Sequence, residues 1–277
     1  MKKIFWFFFL ALFVSGAGAE PAPDRIVSIA PSFTEILYAL GLGNQIVGTT
    51  NYCDYPEAAK QTEKVGDMLN PNLEKILSLH PNLVFCGSWK WHVPEKLREL
   101  KIRVVEITDA QTVDDVYKRI LLIGKETSTE NEARRIVEHM KQEAQQIANH
   151  STREPRPKIY LELDSGQWTV GGGSYMNEIL EIIGARNIFA ERKDAYFMAT
   201  AESIAARDPD VIISLWRSAV DYQKAENWRA LRAVKENRIL DLKSMDWNLI
   251  TRQSPRLIEG MRQLQKLLTA KGAKNAK

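Results

Sequence analysis

The sequence predicts an α/β protein of two similar α/β lobes with mostly parallel sheets, joined by one long backbone helix, with a ligand cleft between the lobes. Three observations carry this. Short apolar runs alternate with helical patterns, which is how a parallel sheet covered by helices on both faces reads. A segment of the first half recurs in the second. Asn72-Leu-Glu74-Lys-Ile76 with Pro81-Asn-Leu-Val-Phe85 aligns without a gap on Thr200-Ala-Glu202-Ser-Ile204 with Pro209-Asp-Val-Ile-Ile213, and Glu35-Ile-Leu37 with Gly41 aligns on Glu178-Ile-Leu180 with Gly184. Between the halves, Ala133, Ile136, Val137, Met140, Ala144 and Ile147 form an apolar stripe at helical spacing.

Residues 1–19 read as a cleavable signal peptide. Lys2 and Lys3 form the basic start, Ile4 to Val14 is apolar but too short to span a bilayer, and Ala17-Gly18-Ala19 is a small-residue cleavage site. The absence of a nearby Cys argues against a lipid anchor. A soluble protein exported to a bacterial periplasm is expected. The full chain carries 38 basic and 35 acidic residues, and loss of Lys2 and Lys3 leaves a net charge of about +1, which speaks against a nucleic-acid surface.

The first lobe is expected over residues 20–125. Arg25–Ala30 reads as a strand. Ser32-Phe33-Thr34-Glu35 reads as a capping box that opens a helix ending near Gly41. Strands follow at Gln45–Thr50, Asn82–Phe85 and Arg103–Ile107, with helices at Leu73–Leu79 and Val93–Leu100 between them. One helical segment then runs from Thr112 or Val113 to about Gly124, and the joining helix falls within residues 126–155, before Pro155 and Pro157. Strand–helix alternation resumes in the second lobe, residues 156–277, which ends in a polar tail.

Trp89, Trp91, Trp168, Trp216 and Trp247 each follow the end of an apolar run that reads as a strand. Ligands of open α/β sheets bind outside the carboxyl ends of the strands. The pattern therefore suggests an aromatic-lined cleft for a large, partly apolar ligand, with one or two of these tryptophans capping the core instead. Cys53 and Cys86 fall at strand exits on either side of the first strand. Two strand spacings, roughly 9–10 Å, exceed the usual reach of a disulfide, so a bridge is possible only with loop movement.

These residues bring a family into view. Arg25-Ile-Val-Ser-Ile-Ala-Pro-Ser-Phe-Thr-Glu35, Asp54-Tyr-Pro56, Asn72-Leu-Glu74-Lys-Ile76 and Ser254-Pro255-Arg256 resemble the periplasmic binding proteins of cobalamin and iron-siderophore importers, in which one long helix joins the lobes. The resemblance covers essentially the whole mature chain. Tyr52 ahead of Asp54-Tyr55-Pro56, and Asp246-Trp247 upstream of Arg252, make it most similar to the cobalamin-binding members. The resemblance implies an ABC-importer substrate-binding protein, a monomer with no cofactor of its own, which delivers cobalamin or a related corrinoid to an inner-membrane permease dimer. An iron-siderophore or haem is the alternative ligand. Carried over by position, Tyr52 and Trp89 belong to the first lobe's wall, and Tyr196 or Phe197, Asp246 and Arg252 to the second's. Glu74 and Glu202 are implied to meet permease arginines. Met68 stands where an aromatic residue is expected, and the Asp246–Arg252 segment is one residue longer than the pattern.

Other features carry less. Gly171-Gly172-Gly173-Ser174 lacks the spacing of a nucleotide loop and reads as a flexible turn at the cleft edge. His92 offers an axial ligand to a metal centre of the bound molecule, although lone histidines more often sit at the surface. His80, His139 and His150 form no ligand spacing, so no metal site is expected. No metalloprotease helix, nucleophile elbow or paired-cysteine motif is present, and no enzyme activity is expected. Lys90, Arg217 and Arg252 at strand exits keep an anionic chelate open as a ligand.

Overall fold

The central apolar runs pair as parallel strands because they are apolar on both faces, as burial between helices demands. The computed structural model describes residues 22–88, 93–151 and 155–273. The first lobe runs β1 (Ile26–Ser28), α1 (Pro31–Ala39), β2 (Ile46–Thr49), α2 (Leu73–Ser78), β3 (Leu83–Gly87), α3 (Val93–Glu99) and β4 (Arg103–Ile107). Its sheet has the order β2-β1-β3-β4, all parallel. β1 and β3 are buried throughout, whereas β4 at the edge exposes Arg103.

Two helices follow, α4 (Val113–Glu126) and α5 (Glu130–Asn149). They form an antiparallel hairpin. Ser128 takes a left-handed φ of 58° in the turn, and Lys141 reaches back over the Tyr117 ring. The backbones approach closely at Gly124, where a Cβ would stand 2.4 Å from the Ala133 Cβ. The single joining helix expected from the sequence is therefore the second arm of a hairpin. It starts at Glu130 rather than 126 and runs 20 residues, about 30 Å. Its buried stripe is Ala133, Val137, Met140, Ala144 and Ile147.

The second lobe contains β5 (Lys158–Glu162), β6 (Trp168–Val170), α6 (Tyr175–Ile182), β7 (Arg186–Asn187), β8 (Tyr196–Met198), α7 (Ala201–Arg207), β9 (Val211–Ser214), α8 (Ala219–Lys224), α9 (Arg232–Lys235), β10 (Ile239–Leu240), α10 (Asn248–Thr251) and α11 (Leu257–Ala273). Its parallel sheet has the order β10-β9-β5-β7. Read from β7, this is the strand order of the first sheet. The repeated segments occupy equivalent places: α2 and α7 precede β3 and β9, and their N-caps Asn72 and Thr200 accept from Lys75 and Ser203 N–H. The second lobe adds an antiparallel pair, β6 with β8.

One apolar cluster runs through both lobes, from Phe33 and Phe85 through Ile120, Val137 and Met140 to Ile159, Leu180 and Leu264. The outer face of each sheet has its own cluster, around Val84 in the first lobe and Trp228 in the second. Among the described residues no helix is long and apolar enough to cross a membrane. The expected signal peptide and the end of the polar tail lie outside the described residues.

Three local expectations change. Pro31 starts α1, Ala30 is its N-cap and no side chain caps it. Ser32 and Glu35 therefore form no capping box, and Glu35 is free to point elsewhere. Gly171, Gly172 and Gly173 are held against the 190–194 backbone, where a Cβ on each would lie 2.2–2.3 Å from carbonyl oxygens. They permit close packing rather than flexibility. Cys53 and Cys86 are buried and unbridged. Cys53 sits between the Thr34 and Thr50 hydroxyls, each 3.2 Å from its Sγ, and burial pushes the Cys86 thiol up to about 12.

Candidate functional site

Chain segments leaving the strands converge on a cleft of about 570 Å³ between the lobes. Ala30, Pro31 and Phe33 follow β1, Met68 follows β2, and Asp109 and Gln111 follow β4. The second lobe supplies Tyr175, Met176 and Tyr196, and the segment after α10 adds Arg252 and Gln253. Arg119 of α4 closes the floor. The position matches the rule that open parallel sheets bind at their carboxyl ends.

Hydrogen bonds and ion pairs fix the two walls to each other. Gln253 Oε1 accepts from Ala110 N–H at 3.0 Å, and its Nε2 donates back to the Ala110 carbonyl at 3.2 Å. Glu178 accepts from Val113 N–H at 2.7 Å. The Tyr175 hydroxyl donates towards the Ile250 and Thr251 carbonyls at 3.0 and 3.1 Å, and burial raises its pKa. Glu35, only 3 % exposed, accepts from Arg252 and Arg256 Nη1 at 2.9 and 3.2 Å and from the Ser254 hydroxyl at 2.5 Å. Arg252 also binds Asp54 at 2.5 Å and the Tyr52 carbonyl at 3.3 Å. The Arg252 hydrogen bond holds the Asp54 carboxyl below the usual carboxylate range. Arg256 lies 3.7 Å over the Tyr55 ring and pairs with Asp246.

Arg119 is buried. One Nη donates to the Thr108 carbonyl at 2.6 Å, Asp109 stands 3.9 Å away, and Nε has no partner. Desolvation lowers its pKa, with Asp109 opposing. Among the described residues no cluster of His, Cys, Asp and Glu could hold a metal ion.

Residues 26–245 match the family model described as periplasmic binding protein. This chain belongs to that family. It is 36 % identical to an uncharacterized ABC transporter substrate-binding lipoprotein of Bacillus subtilis, YvrC, over 87 % of this chain and 79 % of that one. It is 28 % identical to the vitamin B12-binding protein of Vibrio cholerae, over 89 % and 90 %. A possible iron-binding periplasmic solute-binding protein of Staphylococcus epidermidis superposes with a TM-score of 0.79 at 31 % identity, over 90 % and 99 %. The periplasmic haem-binding protein BhuT shares the fold at TM-score 0.79 and 21 % identity, over 89 % and 98 %. This periplasmic binding protein is thus a solute-binding component of an ABC transporter. Its relatives are solute-binding proteins and not enzymes.

The residues singled out in the sequence of the binding protein fall into four groups. Tyr196 and Arg252 line the cleft. Tyr52, Trp168 and Trp216 are exposed at loops or strand ends without lining it in this structure, Trp216 by 54 %. Asp246 lies behind, paired with Arg256. Phe197 faces away, edge-on to Phe189 at 5.1 Å under the Arg192 guanidinium. Trp247 is a core residue, 8 % exposed, whose indole N–H donates to the Asp241 carbonyl. It anchors the turn into α10 because a buried indole needs an acceptor. Trp89, Trp91, His92 and Lys90 lie outside the described residues. Sequence reasoning missed Arg119, Tyr175 and Gln253 as wall residues and Glu35 as the partner of Arg252, Ser254 and Arg256. The recurrence of Glu35 at Glu178 was the available signal, since both carboxylates bind segments that cross between lobes.

Proposed function

We propose that this periplasmic binding protein captures cobalamin or a related corrinoid between its lobes and hands it to an inner-membrane permease dimer. The observation that carries this reading is the pairing of two cationic side chains at strand exits, one of them in the cleft wall. Arg252 is held by Glu35 and Asp54, and Arg217 by the fully buried Glu162 at 3.1 Å. A polyanionic ferric chelate calls for positive charge that is not already satisfied. A corrinoid offers a broad apolar face fringed with uncharged amides, which suits Phe33, Met68, Met176 and Tyr196. Tyr52, Trp89, Trp91, Trp168 and Trp216 would enclose the part of the ligand that projects beyond the cleft. The likeness to the Vibrio cholerae vitamin B12-binding protein supports the same ligand. The unpartnered Nε of Arg119 favours a second reading, in which a haem or siderophore carboxylate reaches the cleft floor. Export by the signal at residues 1–19, a monomeric state and docking through Glu74 and Glu202 belong to the same proposal.

Calorimetric titration with cobalamin, haem and a ferric catecholate tests it. The expected result is a 1:1 complex with cobalamin, accompanied by quenching of tryptophan fluorescence. Saturable binding of haem or the catecholate, with no heat from cobalamin, would overturn the corrinoid assignment.

A further inference from the structure

Glu35 is a buried carboxylate that does not line the cleft, yet both arginines of the 252–256 segment bind it. Arg252 and Arg256 Nη1 both donate to its Oε1, at 2.9 and 3.2 Å. Arg252 is shared with Asp54 and Arg256 with Asp246. Two cations therefore meet three carboxylates, so the group carries an excess negative charge. Of the five side chains, only Arg252 lines the cleft. Asp54 and Asp246 are 50 % and 49 % exposed, and water and salt screen their share. The Glu35 side chain is 1 % exposed, so its field reaches Arg252 through a medium of lower dielectric. Asp54, at the shorter distance, and Glu35 together raise the Arg252 pKa against its desolvation, and Glu35 is the buried member of the pair.

We infer that Glu35 sets the charge preference of the cleft. By neutralising Arg252 from behind, it makes the wall unattractive to anionic macrocycles and chelates and leaves it open to uncharged ones. The inference rests on the proposed capture of a corrinoid-like ligand in this cleft. A purely mechanical role for Glu35, tying α1 to the 252–256 segment, would weaken every ligand alike. A selector changes the ratio between ligands that differ only in charge.

The probes are cyanocobalamin and its monocarboxylate derivative, in which one side-arm amide is a carboxylate on the same corrin. Wild-type protein should prefer the amide form. Glu35→Gln keeps a hydrogen-bond acceptor for Ser254 and an arginine while removing the charge. It should move the affinity ratio towards the carboxylate by about tenfold, the scale of one charge acting across a partly screened site. Asp54→Asn should move it the same way, and serves if Glu35→Gln does not fold. An unchanged ratio in the folded variants, with both affinities falling together, overturns the selector. Binding of neither corrin by the wild type would instead sink the corrinoid reading. The ratio is then read between haemin and its dimethyl ester, where no shift again overturns the role of Glu35.

Discussion

Tyr196 and Phe197 are chain neighbours with opposite surroundings. Successive strand residues point to opposite faces, so β8 sends Tyr196 to the cleft and Phe197 to the outer cluster of the second lobe. Tyr196→Ala should lower cobalamin affinity by about 0.5–1.5 kcal/mol, the worth of one aromatic contact beyond its area. Phe197→Ala should leave affinity alone and cost about 1–3 kcal/mol of stability, less than a fully enclosed Phe. Titration calorimetry and urea unfolding on both variants check this, and the reverse pattern would mean the strand faces are exchanged. The family resemblance assigned one of the pair to the second lobe's wall but could not say which, because alternation has no sign until the partner surface is known. Trp247 and Trp216 illustrate the same limit. Both follow apolar runs, but Trp247 finds a carbonyl for its indole N–H and is buried, whereas Trp216 stays exposed.

Elements were more legible than faces. β4 coincides with the expected Arg103–Ile107, and α2 and β3 fall within a residue or two of expectation, because turn residues bound their apolar runs. The α4–α5 hairpin was harder to read. Its turn is Thr127-Ser128-Thr129, with neither Gly nor Pro to mark it, and the one informative glycine lies earlier, at Gly124. That glycine serves packing, since its Cα faces Ala133 of the opposite arm. Gly124→Val should therefore destabilise the protein by about 1–3 kcal/mol through overpacking, visible as a lower urea midpoint. An unchanged midpoint would show that the arms do not approach this closely. The capping-box reading of Ser32 and Glu35 failed because Pro31 already supplies a helix start, which left Glu35 available for a contact far along the chain. Sequence spacing cannot reveal such a contact.

At the scale of the molecule, the repeated strand order makes the two lobes structural counterparts. Glu74 and Glu202 hold the same place in each, exposed in the first turns of α2 and α7. The helix dipole favours acid there in any protein, by about 0.3–1 kcal/mol, so position alone assigns no role. Two matched charges, one per lobe, fit a two-fold symmetric permease, where complementary charge sets orientation and encounter rate. The double change Glu74→Arg with Glu202→Arg should leave cobalamin affinity intact, cost little stability and abolish uptake by the cognate importer. Normal uptake would remove the docking role. The Glu35 contact has a further consequence, for the order in which the protein is made. Synthesis starts at the amino end, so Glu35 emerges long before Arg252, Ser254 and Arg256. Until they arrive, α1 must either leave its carboxylate in water or bury it without a cation, at a cost of several kcal/mol. The first lobe, although earliest in the chain, therefore cannot reach its final form ahead of the second. The wall of the cleft is completed by residues near the end of the chain, so a nascent or truncated polypeptide has no finished binding site.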